Sequence, residues 1–391
     1  MKIVDVTEFW SERGGGVRAY LTQLLREGAL HGHDVAVIAP GARNEELRAP
    51  EGGRIVRLAG PAMPYDPSYH ALWNPLAIRA AIEREHPDVL EASSPYVAAL
   101  VATRARSVAL RSLVVHSDFI DTYARPVLSR AFGTRAADVA LTPPWAALRA
   151  LTARFDVTVC SGRWLADKLI AHGCHRVACV PFGIRHQDFS PSLRDESLRA
   201  RLLGPARDRE GAVLVAVVGR LAGEKRVPLV FESLAKLGET RPVAVVVLGD
   251  GPERPRLEAL AERLGLFVNF EGFVTDRARY ATTLASADVL VHGCACETFG
   301  FSVAEALASG VPVVVPDAGG ASEFADPDAA ECYPADASPV AVSVATSRLL
   351  GRPRDSLREG ALRAAARVRS AEHHFEALFA LYASKLAEVR R

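Results

Sequence analysis

Short apolar runs alternate with helical segments along the whole chain. In the first half the runs are rich in valine and isoleucine, as in buried strands of parallel sheets. They are residues 2–6, 34–40, 54–58, 88–93, 112–117, 157–161 and 178–183. Between two of them, Asn74-Pro75 predicts a helix start, with an N-cap side chain followed by proline at the first helical position. This alternation predicts a parallel sheet covered by helices.

A second series of the same kind begins after a polar stretch at residues 185–211. Its predicted strands are residues 212–220, 242–250, 267–272, 288–293 and 312–317. Proline, aspartate and serine near 186–195 indicate a boundary between the two series. We therefore expect an α/β protein of two doubly wound, Rossmann-like domains facing a cleft, residues 1–187 and 188–371. In such sheets ligands bind outside the carboxyl ends of the strands.

Composition excludes several classes of protein. The 391 residues include 47 basic and 46 acidic side chains, a net charge of +1 that does not favour nucleic-acid binding. No stretch has the length and apolarity of a membrane-spanning helix, and the N-terminus lacks a signal-peptide pattern, so we expect a cytoplasmic protein. Cys294-Ala-Cys296 has no second pair or histidine cluster at zinc-site spacing. We therefore interpret the six cysteines as buried, reduced thiols.

Glycines and basic residues follow the predicted strands. Gly14, Gly15 and Gly16 precede an amphipathic helix whose N-terminus could receive a phosphate, although a simple turn would look the same. Arg220 ends a strand and Lys225 lies in the next loop, in a chain with only five lysines against 42 arginines. A guanidinium and an ammonium suit a diphosphate. Alternatively, the two residues simply lie in a solvated loop. Because Arg220 and Lys225 are predicted to be loop residues, we expect them to contribute little to folding.

The segment "ETFGFSVAEALASG" (297–310) contains two carboxylates and no other charge. Glu297 is predicted to lie in the loop after a strand, and Glu305 inside a helix at 301–309 that Gly310 closes. The N–H groups of residues 299–301 at the start of this helix suit an anion. Carboxylates would repel that anion, so we expect both to accept hydrogen bonds from sugar or ribose hydroxyls. Either glutamate alone could instead be a surface residue.

In order and spacing these motifs resemble the retaining glycosyltransferases of family 4, which have the GT-B fold. The specific part is G-R-x4-K at 219–225 upstream of E-x7-E at 297–305, and similar segments extend over nearly the whole chain. The resemblance implies transfer of a hexose from a nucleotide-diphosphate sugar, GDP-mannose or a UDP-sugar, to a hydroxyl acceptor. It also implies that the second domain holds the donor and that a helix at about 372–391 packs back on the first.

The resemblance assigns catalytic roles to four residues. Arg220 and Lys225 would hold the diphosphate, and Glu297 would bind sugar hydroxyls beside the reacting carbon. His116, at the end of a strand in the first domain, would lie near the donor sugar and the acceptor.

The resemblance also assigns a wider donor-binding set. Glu305 would bind the ribose hydroxyls, and Gly15 and Gly16 would close on the phosphates. The remaining members are the base-binding loop and the phosphate and sugar cradle: Val274, Asp276, Phe299, Gly300 and Phe301. Asp276 could accept two hydrogen bonds from guanine, which favours a GDP sugar, or it could simply cap the following helix.

The mechanism is expected to need no metal and no other cofactor. No D-x-D motif follows an N-terminal strand, and Arg220, Lys225 and a helix N-terminus would stabilise the charge on the departing phosphate. For retention we favour a same-face route, in which that phosphate takes the acceptor proton. A non-catalytic nucleotide-sugar-binding protein on the same fold is the main alternative, and a GT-B epimerase or phosphorylase is another.

A basic, amphipathic stretch suggests what the acceptor is. Residues 122–155 contain five arginines and one acid, interleaved with Tyr123, Phe132 and Trp145. Such a stretch could lie on an anionic membrane, which would suit a lipid-linked acceptor and a position at the cytoplasmic face of the membrane. The alternative is a pair of ordinary helices with solvated arginines, and a small-molecule acceptor. Pro143-Pro144 is expected to interrupt any continuous helix here.

Overall fold

The computed structural model describes residues 1–11, 15–64, 66–106 and 108–389. Residues 12–14, including Gly14 of the glycine loop, lie outside the described residues. The chain divides into two compact units, Met1–Phe182 with Ala371–Arg391, and Gly183–Ser370. Each unit is built on one main sheet of mostly parallel strands. The predicted α/β class with two Rossmann-like domains is therefore confirmed.

The described residues of the first unit form ten strands and six helices before its C-terminal helix. The strands are β1 (Lys2–Val6), β2 (Asp34–Gly41), β3 (Glu45–Arg48), β4 (Arg54–Ala59), β5 (Ala62–Met63), β6 (Asp66–His70), β7 (Val89–Ala92), β8 (Leu110–Val115), β9 (Val157–Cys160) and β10 (Val177–Cys179). The helices are α1 (Gly16–Leu30), α2 (Pro75–Glu85), α3 (Val97–Ala102), α4 (Arg125–Phe132), α5 (Thr134–Thr152) and α6 (Arg163–Ala171). A π-helical turn, Ile120–Ala124, precedes α4.

The main sheet of this unit has the order β10-β9-β8-β7-β1-β2-β4-β3. Every neighbouring pair is parallel except β3 with β4. Strands β5 and β6 form a separate antiparallel pair. The C-terminal helix, Ala371–Val389, contacts α1 and β8 of the same unit.

The second unit has six parallel strands. They are β11 (Val213–Val218), β12 (Val243–Leu248), β13 (Phe267–Gly272), β14 (Val289–Val291), β15 (Val313–Pro316) and β16 (Ala330–Tyr333). Its helices are α7 (Glu196–Leu203), α8 (Val227–Gly238), α9 (Arg254–Arg263), α10 (Arg277–Ala285), α11 (Phe301–Ala308), α12 (Pro339–Leu350) and α13 (Arg354–Ala365). The C-terminal helix, which belongs to the first unit, is numbered α14.

The order of the second sheet positions its ligand site. The strands follow one another as β13-β12-β11-β14-β15-β16, so the direction of winding reverses between β11 and β14. In doubly wound sheets ligands bind at the carboxyl ends of the strands beside this reversal. Arg220 and Lys225 follow β11, and Glu297 follows β14. The residues chosen from the sequence therefore lie on both sides of the switch point.

Every apolar run predicted to be a strand contains one, with ends shifted by a few residues. The capping prediction at Asn74 is also confirmed, because its side chain accepts from the N–H groups of Leu76 and Ala77. The strands that were missed carry no long apolar run: β3 reads EELR, β5 reads AM, β6 reads DPSYH and β16 reads AECY.

The predicted break at Pro143-Pro144 is wrong. Helix α5 continues through both prolines from Thr134 to Thr152. Leu141, Trp145 and Leu148 are buried in the core of the first unit, and this packing holds the helix across the two missing N–H donors. No helix among the described residues has both the length and the apolarity needed to cross a membrane.

The interpretation of all six cysteines as buried thiols is also partly wrong. Cys160 and Cys294 are buried, whereas Cys179 and Cys332 are exposed. The strands β10 and β16 that contain these two residues are the edge strands of their sheets, where one side of a strand lacks a neighbour.

Three glycines bring the loops of the second unit together at the switch point. A Cβ on Gly249 would lie 1.9 Å from the carbonyl oxygen of Gly219, and one on Gly293 would lie 2.5 Å from that of Lys225. Gly219 and Gly249 also have φ values of 137° and 150°, which other residues rarely adopt. The loops that follow β11, β12 and β14 therefore touch backbone to backbone, and this contact fixes the main chain of Lys225.

We expect Gly249→Ala to destabilise the protein by about 3 kcal/mol or more, because the new methyl group overlaps a backbone atom and strains the local φ. Gly238→Ala is the matched control, since Gly238 ends helix α8 without a positive φ and a methyl group added there would meet no atom within 4 Å. Urea denaturation of both variants measures the difference. Equal stability of the two variants would show that the close approach does not constrain the loops.

Candidate functional site

The centre of the candidate site is an ion pair between Lys225 and Glu297. Lys225 ends a single turn, Gly223–Lys225, after β11, and its Nζ lies 2.5 Å from Glu297 Oε2. Both side chains are only 22% exposed. Burial opposes the charged form of each, but the partner's charge outweighs it, so the pKa of Lys225 is raised and that of Glu297 is lowered.

Lys225 is therefore not a solvated loop residue, and its burial beside Glu297 leads us to expect that it contributes to folding stability. Removing it would leave the Glu297 carboxylate without its counter-charge in a largely buried position. Arg220, by contrast, is exposed and lies two residues beyond the end of β11.

Behind Glu297 lies a group of side chains that sequence reasoning missed. His292 Nε2 is 3.7 Å from Glu297 Oε2, and the His292 side chain is 4% exposed. Burial lowers the pKa of His292 to about 4, so the ring is neutral at physiological pH. Cys294 Sγ lies 3.6 Å from Cys296 Sγ. The sequence signal was the spacing H-x-C-x-C-E at 292–297, which does not match the zinc patterns considered above.

The loop from Glu297 to Gly300 is held by a second glycine contact. Gly320 N–H donates to the Glu297 carbonyl oxygen at 2.5 Å, and a Cβ on Gly320 would lie 2.4 Å from the Thr298 carbonyl oxygen. Phe299 is buried, with its ring against Phe301 and Phe324. Its side chain therefore anchors the loop, and only its backbone is placed to meet a ligand.

Helix α11 begins after Gly300, as the sequence predicts. Gly300 has a φ of 93° and is the N-cap, and the helix runs from Phe301 to Ala308. Gly310 closes the far end with a φ of 71°, which confirms the predicted C-terminal cap. The amino terminus of this helix faces the loop that contains Glu297.

Glu305 is buried and already hydrogen-bonded through both oxygens. Arg277 Nη2 donates to Oε1 at 2.6 Å, and the Tyr280 hydroxyl donates to Oε2 at 2.6 Å. Glu305 is therefore not a surface residue. Sequence reasoning missed both partners, although they lie three residues apart at the start of one helix, α10, where they share a face.

The loop predicted to bind the base, with Val274 and Asp276, lies between β13 and α10. Asp276 Oδ1 accepts from the N–H groups of Ala278 and Arg279 at 2.9 and 3.2 Å. Asp276 is therefore the N-cap of α10, as the alternative interpretation of the sequence held. The Arg279 guanidinium forms an ion pair with Glu271, so it is not directed at an open face of the loop.

The first unit contains the other predicted residues, Gly15, Gly16 and His116. Gly15 is the N-cap of α1 and Gly16 its first residue. No atom lies within 4 Å of a Cβ built on Gly15, so packing within this unit does not require glycine there.

His116 follows β8 and lies among aromatic rings. Tyr20 contacts it at a centroid distance of 4.7 Å, and Phe182 at 5.8 Å. Its Nε2 is 3.1 Å from Ser93 Oγ, and Ser93 Oγ is 2.5 Å from Asp5 Oδ2. Burial and the nearby His374 lower the pKa of His116 to about 3. The residue is thus a neutral imidazole at physiological pH.

A cavity of about 410 Å³ in the second unit lies away from these residues. Its lining includes Val213 at the start of β11, Asp288 just before β14 and Pro312 just before β15. It therefore opens at the amino-terminal ends of the strands, opposite the switch-point loops. Three arginines in it, Arg194, Arg199 and Arg354, share the single carboxylate of Asp288. We regard it as structural.

Comparison with known proteins agrees with this geometry. The family described as Glycosyltransferase Family 4 matches residues 14–188, and the one described as Glycosyl transferases group 1 matches residues 205–345. A GDP-mannose-dependent alpha-(1-6)-phosphatidylinositol dimannoside mannosyltransferase of Mycobacterium tuberculosis is 32% identical over 93% of this chain and 92% of its own length. A GDP-mannose-dependent alpha-mannosyltransferase of the same organism is 31% identical over 84% of this chain and 82% of its own.

Solved structures share the fold. A sucrose-phosphate synthase of Thermosynechococcus elongatus has a TM-score of 0.80 at 18% identity and covers 99% of this chain and 100% of its own. The catalytic domain of starch synthase IV of Arabidopsis thaliana, bound to ADP and acarbose, has a TM-score of 0.70 at 13% identity, covering 98% and 99%. The chain therefore belongs to the group 1, family 4 glycosyltransferases of GT-B fold, and it is a hexosyltransferase that uses a nucleotide sugar.

Proposed function

We propose that the protein is a retaining, metal-independent mannosyltransferase that moves mannose from GDP-mannose to a hydroxyl group of a lipid-linked acceptor. The observation that carries this proposal is the largely buried Lys225–Glu297 pair at the switch point of the second sheet. The names of the relatives, which specify GDP-mannose and a phosphatidylinositol mannoside, support the choice of donor and acceptor.

Donor binding on this site is an exchange of partners. The diphosphate brings two negative charges, and the Lys225 ammonium turns from Glu297 toward them. Lys225 lowers the pKa of Glu297, so the carboxylate is ionised when the donor arrives, and hydroxyl groups of the sugar then donate hydrogen bonds to it in place of the ammonium. Arg220, exposed on the same loop, supplies the second positive charge. This exchange leaves no carboxylate directed at the phosphates.

Bond cleavage places negative charge on the β-phosphate. Lys225, Arg220 and the N–H groups of residues 299–301 at the start of α11 stabilise this charge where it develops. The same phosphate then takes the proton of the acceptor hydroxyl, on the face of the sugar from which it departed. Retention follows because the acceptor and the leaving group share that face, and no metal is needed to neutralise the phosphate.

Glu305 binds the ribose in this scheme. Each carboxylate oxygen has lone pairs for more than one donor, so the bonds from Arg277 and Tyr280 still leave room for a vicinal diol. The two protein donors fix the carboxylate plane before the ligand arrives. The ordering cost of binding is correspondingly smaller.

His116, Gly15 and Gly16 are assigned to the same reaction from the first unit. A neutral imidazole held beside Ser93 is suited to orient a hydroxyl group of the sugar. His116 therefore orients a hydroxyl group and does not act as a charged acid. The N–H groups at the start of α1, beside Gly15 and Gly16, are suited to the phosphates.

The acceptor side of the proposal rests on an exposed surface formed by α4 and α5. Helix α4 has no buried residue, and large apolar side chains point outward from both helices. Tyr123, Phe132 and Val139 are 57%, 72% and 73% exposed. Arg130 and Arg135 lie among them, and within the described part of the chain neither has a carboxylate at ion-pair distance.

We assign this α4–α5 surface to an anionic membrane. Exposed aromatic and aliphatic groups interleaved with uncompensated arginines match the chemistry of a lipid headgroup layer, in which each basic residue adds about 1 kcal/mol. A phosphatidylinositol-based acceptor carries a negative phosphate in such a layer. The same surface would therefore bring the enzyme to its acceptor.

The first test is removal of the lysine. Lys225→Ala is expected to lower kcat/KM for GDP-mannose by about a hundredfold or more, since a lost contact to developing charge costs ~3 kcal/mol. It is also expected to lower the melting temperature, because Glu297 is left unpaired. Lys236→Ala, at an exposed lysine of α8, is the control.

A double variant separates the two effects. Lys225→Ala with Glu297→Gln removes both charges, so stability should return toward that of the wild type while transfer stays low. Restoration of transfer together with stability would contradict the diphosphate role of Lys225.

The second test concerns the base. Calorimetry should show GDP bound more tightly than UDP, and Asp276→Ser should weaken GDP binding while leaving UDP binding and the melting temperature unchanged. Serine keeps the N-cap of α10 and removes only the carboxylate. If UDP binds more tightly than GDP, the donor assignment is wrong; if Asp276→Ser binds GDP as the wild type does, Asp276 is a cap alone.

The third test is co-sedimentation with vesicles that contain phosphatidylinositol. Replacing Arg130 and Arg135 by glutamine should weaken binding about 30-fold at low salt, from ~2 kcal/mol for two charges. Phe132→Ser with Val139→Ser should also weaken it. Val340→Ser, at an apolar residue of α12 that is 53% exposed, should not. Equal binding of all these variants would exclude the α4–α5 surface.

A further inference from the structure

Four residues in the six that follow β14 bring potential metal ligands together. One ligand atom each from His292, Cys294 and Glu297 lie within 4.8 Å of one another. Cys296 adds a second sulfur 3.6 Å from Cys294 Sγ. One nitrogen, two sulfurs and one carboxylate oxygen form a four-ligand set of the type that zinc prefers, whereas magnesium and calcium prefer oxygen ligands.

The spacing fits a tetrahedral ion. Two sulfurs at 2.3 Å from a tetrahedral zinc lie about 3.8 Å apart, and a nitrogen and an oxygen at 2.0–2.1 Å lie about 3.4 Å apart. The observed distances are 3.6 Å between the sulfurs and 3.7 Å between His292 Nε2 and Glu297 Oε2. The ligand atoms of His292, Cys294 and Glu297 are already grouped, and the Cys296 side chain must move to add its sulfur as the fourth ligand.

His292 provides an independent sign of a ligand. Its Nε2 is buried and has no hydrogen-bond partner among the described residues. The main chain of His292 is held on both sides, because its N–H donates to Val314 at 2.8 Å and its carbonyl oxygen accepts from the Tyr333 hydroxyl at 2.5 Å. A buried polar atom without a partner destabilises the fold, and a metal bond to Nε2 would offset that cost.

We propose that His292, Cys294, Cys296 and Glu297 form an inhibitory site for Zn²⁺. The ion enters beside Glu297 and Cys296, which are partly exposed, whereas Cys294 is buried. Each thiol loses its proton to solvent as a metal–sulfur bond forms, so binding releases two protons. Glu297 Oε2 moves from Lys225 to the metal. The carboxylate proposed to bind the sugar hydroxyls is then no longer available to the donor.

Binding of Zn²⁺ and inhibition by Zn²⁺ are separate claims that can be tested separately. The ligand set depends only on the geometry of the second unit, whereas inhibition rests on the proposed role of Glu297 in donor binding. Zn²⁺ therefore acts here as an inhibitor that competes with the donor. Catalysis itself uses no metal in this scheme.

Cobalt spectroscopy tests the site without any activity assay. Reduced, metal-free protein is titrated with Co²⁺, and a 1:1 complex with sulfur-to-cobalt charge-transfer absorption and the strong visible bands of tetrahedral Co²⁺ is expected. Zn²⁺ should remove these bands. Cys296→Ser should weaken Co²⁺ binding at least about tenfold and reduce the charge-transfer band, and Cys294→Ser with Cys296→Ser should abolish it. Cys332→Ser, at an exposed thiol of β16, is the control and should behave as the wild type.

Donor binding tests the inhibition. Zn²⁺ should raise the apparent Kd of GDP-mannose in the wild type and in Cys332→Ser, but not in the variant that combines Cys294→Ser with Cys296→Ser. Cobalt bands that persist in the double cysteine variant would overturn the site. Bands that depend on the cysteines without any effect of Zn²⁺ on the donor would overturn the inhibitory role. A protein that transfers no sugar but gives the expected spectra would instead contradict the proposed function and leave the metal site standing.

Discussion

The ion pair between Lys225 and Glu297 is the interaction on which the rest of the candidate site depends. Two opposite charges in a largely buried position stabilise each other only while they remain close, and losing one partner is costly. Exchanging a partner is much cheaper than losing it. A ligand that offers both a phosphate for the ammonium and hydroxyl groups for the carboxylate satisfies each charge again. The protein thereby keeps the Lys225 ammonium and the Glu297 carboxylate largely buried before any substrate binds.

Close backbone contacts explain why the pair forms at this place. Gly219, Gly249 and Gly293 let the loops after β11, β12 and β14 approach within distances that no side chain would permit. A second contact, between Gly320 and the loop after Glu297, fixes the other partner. Strand order determines which loops meet, and glycine determines how closely. The positions of Lys225 and Glu297 are thus set largely by glycines.

Much of this could be predicted from the sequence, and the rest could not for a physical reason. Apolar runs and strand ends are local signals, so the two sheets and the positions of Lys225, Glu297 and Glu305 followed from them. Which side chains meet across the fold is not a local property. The partners of Glu305 lie 25 and 28 residues away, on another helix, and the histidine behind Glu297 became visible only when the loop was seen folded. Helix α5 passed through two prolines because distant packing outweighed a local rule.

Those two prolines limit how deeply α5 can sit in any apolar medium. Pro143 and Pro144 have no N–H, so the carbonyl oxygens of Val139 and Ala140 lack their usual donors four residues on. In water such oxygens are hydrated at little cost, but in hydrocarbon each oxygen without a donor would cost several kcal/mol. At the proposed membrane surface the helix would therefore be restricted to the hydrated layer of glycerol and phosphate groups. An enzyme held at that depth would meet the polar ends of lipids and leave their acyl chains undisturbed.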